Sequence, residues 1–334
     1  MPKRLALLLA NGAYTIRAPL SRPVAVSTAM AKKLEAMGFV VRFAHDQTLQ
    51  GMKVATEEWL SDVATAVDSF AEESSDRRFD DEPPLLLLCS FCGHGAAGCF
   101  FPVDSKRPCP QEESFSFFED LLFPLLHVLG LAFEHGTPAW LLPGVRIFMI
   151  IESCRRLLKD EHEAYQATKT QVAQKKRHLL PCVQAMRPDL AFGNAMWDQQ
   201  RLAFLSHLGR LGHGAPELLL ALSSESTTAS YDVVFLRSIV ESIDKPLRLG
   251  GILERASLDT LRRTGHQQKP VILSFGPADA KQERRMKLEE YVLARPAPEA
   301  HAGRALLRGV SLPSLSKSAP MKRLSRQRSF VHLS

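Results

Sequence analysis

Several features are scarce in this 334-residue chain, and each shortage narrows what the protein can be. No apolar run approaches the roughly 20 residues that a bilayer-spanning helix needs, so no membrane association is expected. Six cysteines (Cys89, Cys92, Cys99, Cys109, Cys154 and Cys182) are too sparse for a disulfide scaffold in a chain this long. There is no internal repeat, and no calcium loop of the EF-hand type. The body of the chain also lacks excess basic charge. The net charge is +6, but residues 279–334 hold twelve Lys and Arg against five Asp and Glu, so that tail carries +7 and the rest about −1. A pI near 9.0 therefore describes an appendage, and specific nucleic-acid binding is not expected of the body.

The composition is otherwise that of a globular protein, 45% hydrophobic and 23% charged, with length for a substantial core. Lys3-Arg4 followed by Leu5 to Ala10 imitates a signal peptide. Its six apolar residues fall just below the roughly 7–15 of a signal core, and a first strand entering the turn Asn11-Gly12 explains it equally well. The expectation is a cytoplasmic protein with reduced thiols.

Apolar spacing then predicts a helix over 24–37, with Val26, Met30, Leu34 and Met37 on one face and Gly38 closing it. A strand follows at Phe39 to Phe43, a helix over 50–70 and an acidic loop from Glu72 to Pro84. Leu85 to Phe91 and Val145 to Ile151 read as buried strands, separated by a long crossover with a helix-like stretch from Glu119 to Phe133. Residues 157–178 are polar, fitting either a solvated helix or a linker. Strand character returns at Leu218 to Leu222, with helices over Val233–Ile243 and Gly251–Arg262 and a last strand at 269–275, placed at an edge by Pro270. Continuous apolar strands alternating with helices predict an α/β fold with a mostly parallel sheet covered on both faces.

Two strand ends carry chemistry. Ser90-Phe91-Cys92-Gly93-His94-Gly95 closes one, and Ile150-Ile151-Glu152-Ser153-Cys154-Arg155 closes another, sixty residues on. Open α/β sheets gather functional groups at strand ends, and an imidazole beside a thiol forms a nucleophile–base pair. Gly93 and Gly95 fit a tight loop, and the Gly95 N–H could face a developing oxyanion. A competing arrangement is zinc: Cys89, Cys92, His94 and Cys99 are four zinc-compatible side chains. Strand alternation, however, sends Cys89 and Cys92 to opposite faces.

Gly93-His94-Gly95 after an apolar strand, with Phe101-Pro102-Val103-Asp104 downstream, resembles the Ser-Gly-His-Gly and Pro-Val-Asp signature of caspase-like cysteine peptidases. Ile151-Glu152-Ser153-Cys154-Arg155 resembles the Asp-x-Cys-Arg nucleophile motif of paracaspases and metacaspase-like proteins. The likeness extends over roughly residues 1–276, through Asn11-Gly12-Ala13-Tyr14, Leu34 to Phe39, Tyr231-Asp232 and Gln268-Lys269-Pro270. The resemblance implies a caspase-like three-layer sandwich over 1–278, with a large-subunit-like part at 1–157, a linker at 158–215 and a small-subunit-like part at 216–278. Residues 279–334 would be a basic, disordered tail.

The resemblance further implies a cysteine endopeptidase acting through an acyl-enzyme. Cys154 would be the nucleophile, His94 the general base and acid, and the backbone N–H groups of Gly95 and Cys154 the oxyanion hole. Cleavage after Arg or Lys would be directed by Glu152 and Asp232, with Cys92 also at the substrate pocket; Glu152 could equally pair with Arg155 or Arg156. The chain departs from the family at three places: Glu152 replaces Asp, Cys92 replaces Ser, and Val26 stands where the first helix carries an Asp. A silent caspase-fold scaffold is the alternative function. Protein or peptide substrates are the expected partners. No cofactor is expected, with calcium left as an open activator. Lys175-Lys176-Arg177 is a candidate self-processing site, and Ser311, Ser325 and Ser329 follow basic residues in the manner of kinase substrates.

Overall fold

The structure, a computed structural model, describes residues 3–73, 85–96, 98–106, 113–129, 145–153, 217–224, 233–275 and Leu293. The first strand, β1 (Lys3–Ala10), leads through a loop into α1 (Pro23–Ala36), whose proline occupies the first turn, where no N–H is required. The helix ends in a Schellman motif: Gly38, at φ +82°, donates its N–H to Glu35, and Phe39 donates to Leu34. Phe39 therefore belongs to the helix cap, and β2 (Val40–His45) starts one residue later than the apolar run suggests.

The long α2 (Leu49–Glu73) returns the chain to β3 (Leu85–Cys92), which is buried throughout. Three two-residue strands, β4 (Gly95–Ala96), β5 (Cys99–Phe100) and β6 (Phe115–Ser116), form a small antiparallel sheet. A π-helical turn, Phe117–Leu122, then runs into α3 (Phe123–Val128). The remaining elements are β7 (Arg146–Glu152), β8 (Glu217–Leu222), α4 (Val234–Val240), α5 (Leu249–Arg263) and β9 (Val271–Phe275).

Six strands make one sheet in the order β2-β1-β3-β7-β8-β9. All neighbours are parallel except β9, which runs antiparallel to β8 at the edge. Pro270 precedes β9, so the ladder loses no donor to it. The long run of leucine in β1, β3 and β8 follows from burial on both faces. Alternate residues divide between two cores. Leu5, Leu7, Leu87, Cys89 and Met149 pack with Trp59 and Val63 of α2 and Leu125 of α3. Ala6, Leu8, Leu88, Cys92 and Phe148 pack with Met30 and Leu34 of α1, Phe235 and Ile239 of α4 and Ile252 of α5. The result is helix, sheet, helix: an α/β three-layer arrangement. Leu293, within the segment read as tail, is buried in the second core, and its carbonyl accepts from Arg4 Nη1 at 3.3 Å. No helix among the described residues is long and apolar enough to cross a membrane.

Candidate active site

The chain leaves β1 toward β2 on one side and then returns across β1 to β3 on the other. The carboxyl ends of β1 and β3 therefore flank the point where strand order reverses, the usual ligand crevice of an open parallel sheet. His94 sits there, two residues beyond β3. In the parallel ladder Cys92 is directly opposite Glu152, so His94 and Cys154 each follow by two residues a pair of registered neighbours. Gly95 is closely packed: a Cβ on it would lie 2.7 Å from the Cys99 carbonyl oxygen and 3.1 Å from both Cβ and Oγ of Ser153. The loop that carries His94 thus touches the residue immediately before Cys154. Cys154 itself lies outside the described residues, as do Asp232, Arg155, Arg156, the 158–215 linker with Lys175-Lys176-Arg177, and Ser311, Ser325 and Ser329.

Hydrogen bonds to described residues hold His94. Its backbone N–H donates to Tyr14 Oη at 2.7 Å, its carbonyl accepts from Phe101 N–H at 2.9 Å, and its Nε2 is 2.9 Å from the Ala18 carbonyl oxygen. A carbonyl can only accept, so Nε2 carries the proton in that contact, and in the neutral ring the basic lone pair belongs to Nδ1. The Tyr14 and His94 rings lie 4.6 Å apart at 55°. Gly93 has no room for a side chain, since a Cβ would come within 2.6 Å of Tyr14 Oη.

The two flanking motifs form the cradle. Asn11 donates from Nδ2 to Phe101 O at 3.1 Å and accepts at Oδ1 from Gln47 N–H. Tyr14 Oη donates to the same Phe101 carbonyl at 3.3 Å, and Thr15 N–H reaches Val103 O at 3.0 Å. Leu20 N–H closes the 12–20 loop onto Gly12 O, and Asp46 Oδ1 accepts from both Gly12 and Ala13 N–H at 2.7 Å. Burial works against charge on Asp46, yet these two N–H donors, together with the neighbouring His45 side chain, hold its carboxyl below the ordinary 3.8. Buried Arg17 lies 4.1 Å above the Phe101 ring and donates to Ser105 Oγ and Lys106 O, which fixes the loop on its other side. Burial drives the Tyr14 phenol far above its usual range, so it stays neutral.

Glu152 is 3% exposed. Its Oε2 accepts from Leu236 N–H at 2.6 Å, and its Oε1 from Gln268 Nε2 at 3.2 Å. Cys92, expected at the substrate pocket, is fully buried in the core on the α1, α4 and α5 side of the sheet, the face that strand alternation shares with Leu86 and Leu88. Val26 packs, partly buried, against the same core. Cys89 faces the opposite core, and Cys99 lies in a third cluster with Tyr14 and Phe101. Burial pushes the Cys89 thiol well up and the Cys99 thiol up to about 11. Among the described residues no group of three or more His, Cys, Asp or Glu side chains is arranged to hold a metal ion.

Sequence reasoning missed the Ala18 carbonyl and the anchoring role of Tyr14. The first has no sequence signature, because every residue carries a carbonyl. The second was signalled by Asn11-Gly12-Ala13-Tyr14, whose partner, Phe101-Pro102-Val103-Asp104, lies ninety residues on.

The fold and this crevice define an α/β protein with a mostly parallel sheet and its polar cluster at the central strand ends. No family model and no curated protein matches the chain. Among solved structures, the crystal structure of a structural-genomics target protein from Geobacter sulfurreducens is similar over 84% of this chain and 96% of its own length. The identity is 14% and the TM-score 0.44, a likeness too distant to bear on function.

Proposed function

We propose that this chain is a caspase-like cysteine endopeptidase that acts through a His94–Cys154 dyad. The observation that carries the reading is the pairing of Cys92 with Glu152, together with the packing of Gly95 on Ser153. It brings the loop bearing the imidazole against the strand end that leads to the thiol. Hydrogen bonding of His94 supports a defined role for each ring nitrogen. With Nε2–H engaged by Ala18 O, Nδ1 is the nitrogen that takes the Cys154 proton and returns it.

In the reaction proposed, the Cys154 thiolate attacks the scissile carbonyl, and the imidazolium donates its proton to the departing amine, leaving a thioester. Water then attacks the thioester while Nδ1 accepts its proton, and the acid is released with the thiol restored. The N–H groups of Gly95 and Cys154 would face the oxyanion of both tetrahedral intermediates. The proposed preference for Arg or Lys draws on acidic charge from Asp232 and from Glu152, whose carboxylate is buried at the end of β7.

The experiment is turnover of fluorogenic peptides ending in Arg, Lys or Asp, with and without calcium, beside Cys154→Ala and His94→Ala. Cleavage of the Arg and Lys peptides that disappears in both variants is expected. Absence of Cys154-dependent turnover under every condition would favour the scaffold alternative.

A further inference from the structure

Glu152 links several elements of the fold. Its carbonyl accepts from Gly93 N–H at 3.1 Å, which ties it to the loop bearing His94. Its carboxylate accepts from Leu236 N–H in α4 and from the side chain of Gln268. The second of these donors does more than satisfy one oxygen. Gln268 Nε2 also donates to the Ser223 carbonyl at 2.9 Å, just past the end of β8. Ser223 N–H in turn donates to Ile151 O on β7. One fully buried amide thus spans the ends of β7 and β8.

The turn that delivers Gln268 is itself specified. After α5, Gly265 and His266 both adopt positive φ, +57° and +63°. His266 N–H returns to Leu261 O, and Gln268 N–H donates to Thr264 Oγ1. On the other side of Glu152, Val233 enters α4 at φ +53°, an uncommon conformation for a β-branched residue. Strained backbone persists where surrounding contacts over-determine it, and here it converges on a single carboxylate two residues before Cys154.

We propose that Gln268 is a positioning residue: through Glu152 it fixes the end of β7, and so the approach of Cys154 to His94. The proposal rests on the peptidase reading. A buried carboxylate that loses a donor is expected to move toward another, because leaving the interaction unmade costs more than making it gains. That movement would be transmitted along the strand end. Displacements of about 1 Å cost on the order of a hundredfold in rate where geometry is catalytic.

The test uses the full chain with Gln268→Leu, which keeps volume and removes the donor, and Gln268→Asn, which keeps an amide but withdraws it by one methylene. Two quantities are read: kcat and KM on an Arg peptide, and the pH profile of iodoacetamide alkylation at Cys154, corrected by Cys154→Ala. The expected result is kcat lower by about tenfold or more, with any rise in KM smaller than the loss in kcat because Glu152 also contributes to the Arg preference. The alkylation profile should move toward the ordinary thiol near pH 8.5, since a misplaced imidazole no longer stabilises the thiolate. If Gln268→Leu fails to fold, by thermal unfolding, Gln268→Asn is read in its place. Unchanged kcat and alkylation profile, or a loss confined to KM, would overturn the proposal. If the parent chain shows no turnover, the peptidase reading falls. The alkylation profile then decides alone: a Cys154 profile that Gln268→Asn shifts keeps the positioning role, and an unshifted one removes it.

Discussion

Replacing Tyr14 by Phe removes one oxygen and keeps the ring that lies tilted beside that of His94. The lost oxygen serves two bonds, as acceptor from His94 N–H at 2.7 Å and donor to Phe101 O at 3.3 Å. Their losses differ. Phe101 O keeps the Asn11 amide at 3.1 Å, so its deficit is small. His94 N–H loses a short, part-buried bond, and a donor stripped of its acceptor costs about 1–3 kcal/mol when fully buried and less where, as at half-buried His94, water has partial access. Offsetting part of this, the variant no longer buries a hydroxyl. A net loss of about 1 kcal/mol in urea unfolding is the result. It should be the same from about pH 5 to 9, because Tyr14 is neutral throughout, its phenol raised far above the usual value of about 10. Gly93→Ala supplies the cross-check. Its new Cβ would lie 2.6 Å from Tyr14 Oη and 3.1 Å from Asn11 O and Phe91 Cζ. Removing the hydroxyl removes the worst contact, so the alanine should cost less in the Tyr14→Phe background, with a coupling of about 1 kcal/mol or more. A neutral Tyr14→Phe, or an alanine cost equal in both backgrounds, would refute this account of how His94 is held.

Two further outcomes follow from the same geometry. Gly95→Ala should lower stability by about 1–3 kcal/mol and kcat by far more than its effect on KM, since its Cβ meets the Cys99 carbonyl at 2.7 Å and must push the loop off Ser153; steady-state kinetics with unfolding measurements separate the two. Asp46 should give the stability curve an acid limb. Its carboxyl titrates lower in the folded chain than its ordinary 3.8, so its contribution is complete above the unfolded value and disappears as pH falls through the folded one. Asp46→Asn should therefore be less stable than the parent above about pH 5, with the gap closing below about pH 4, as urea titrations across that range would reveal.

The parts of the fold legible in the sequence are those where burial acts on both faces of a strand. Leu5 to Ala10, Leu85 to Leu88 and Leu218 to Leu222 are apolar without interruption because helices cover the sheet above and below, and the expected strands and the observed ones coincide closely. Boundaries moved where a helix cap competed for an apolar residue. Phe39 looks like strand, but its N–H bonds back to Leu34 and its side chain joins the α1 core. Between residues 115 and 128, a helix-like pattern expected from Glu119 begins earlier, as a π-helical turn at Phe117, because Phe117 and Phe118 are both drawn into the core. The antiparallel direction of β9 and the small sheet of β4, β5 and β6 left no period to read: two-residue strands are too short for alternation.

At the candidate site the motif residues were legible and their contacts were not. His94 and Glu152 could be placed at strand ends from the apolar runs before them. That Glu152 turns its carboxylate inward to Leu236 N–H and Gln268 depends on a chain segment more than eighty residues later. The Cys89 and Cys92 faces, by contrast, followed from alternation alone: the two thiols enter different cores.

The central claim is that His94 activates Cys154 toward a peptide carbonyl. The most direct measurement is covalent capture: incubation of the chain with a peptidyl-arginine acyloxymethyl ketone, followed by mass spectrometry of the digested protein. The account predicts one adduct, on Cys154, formed much faster than with the matching Asp reagent and lost in His94→Ala. No adduct at Cys154, or one that forms equally well without the imidazole, would contradict it.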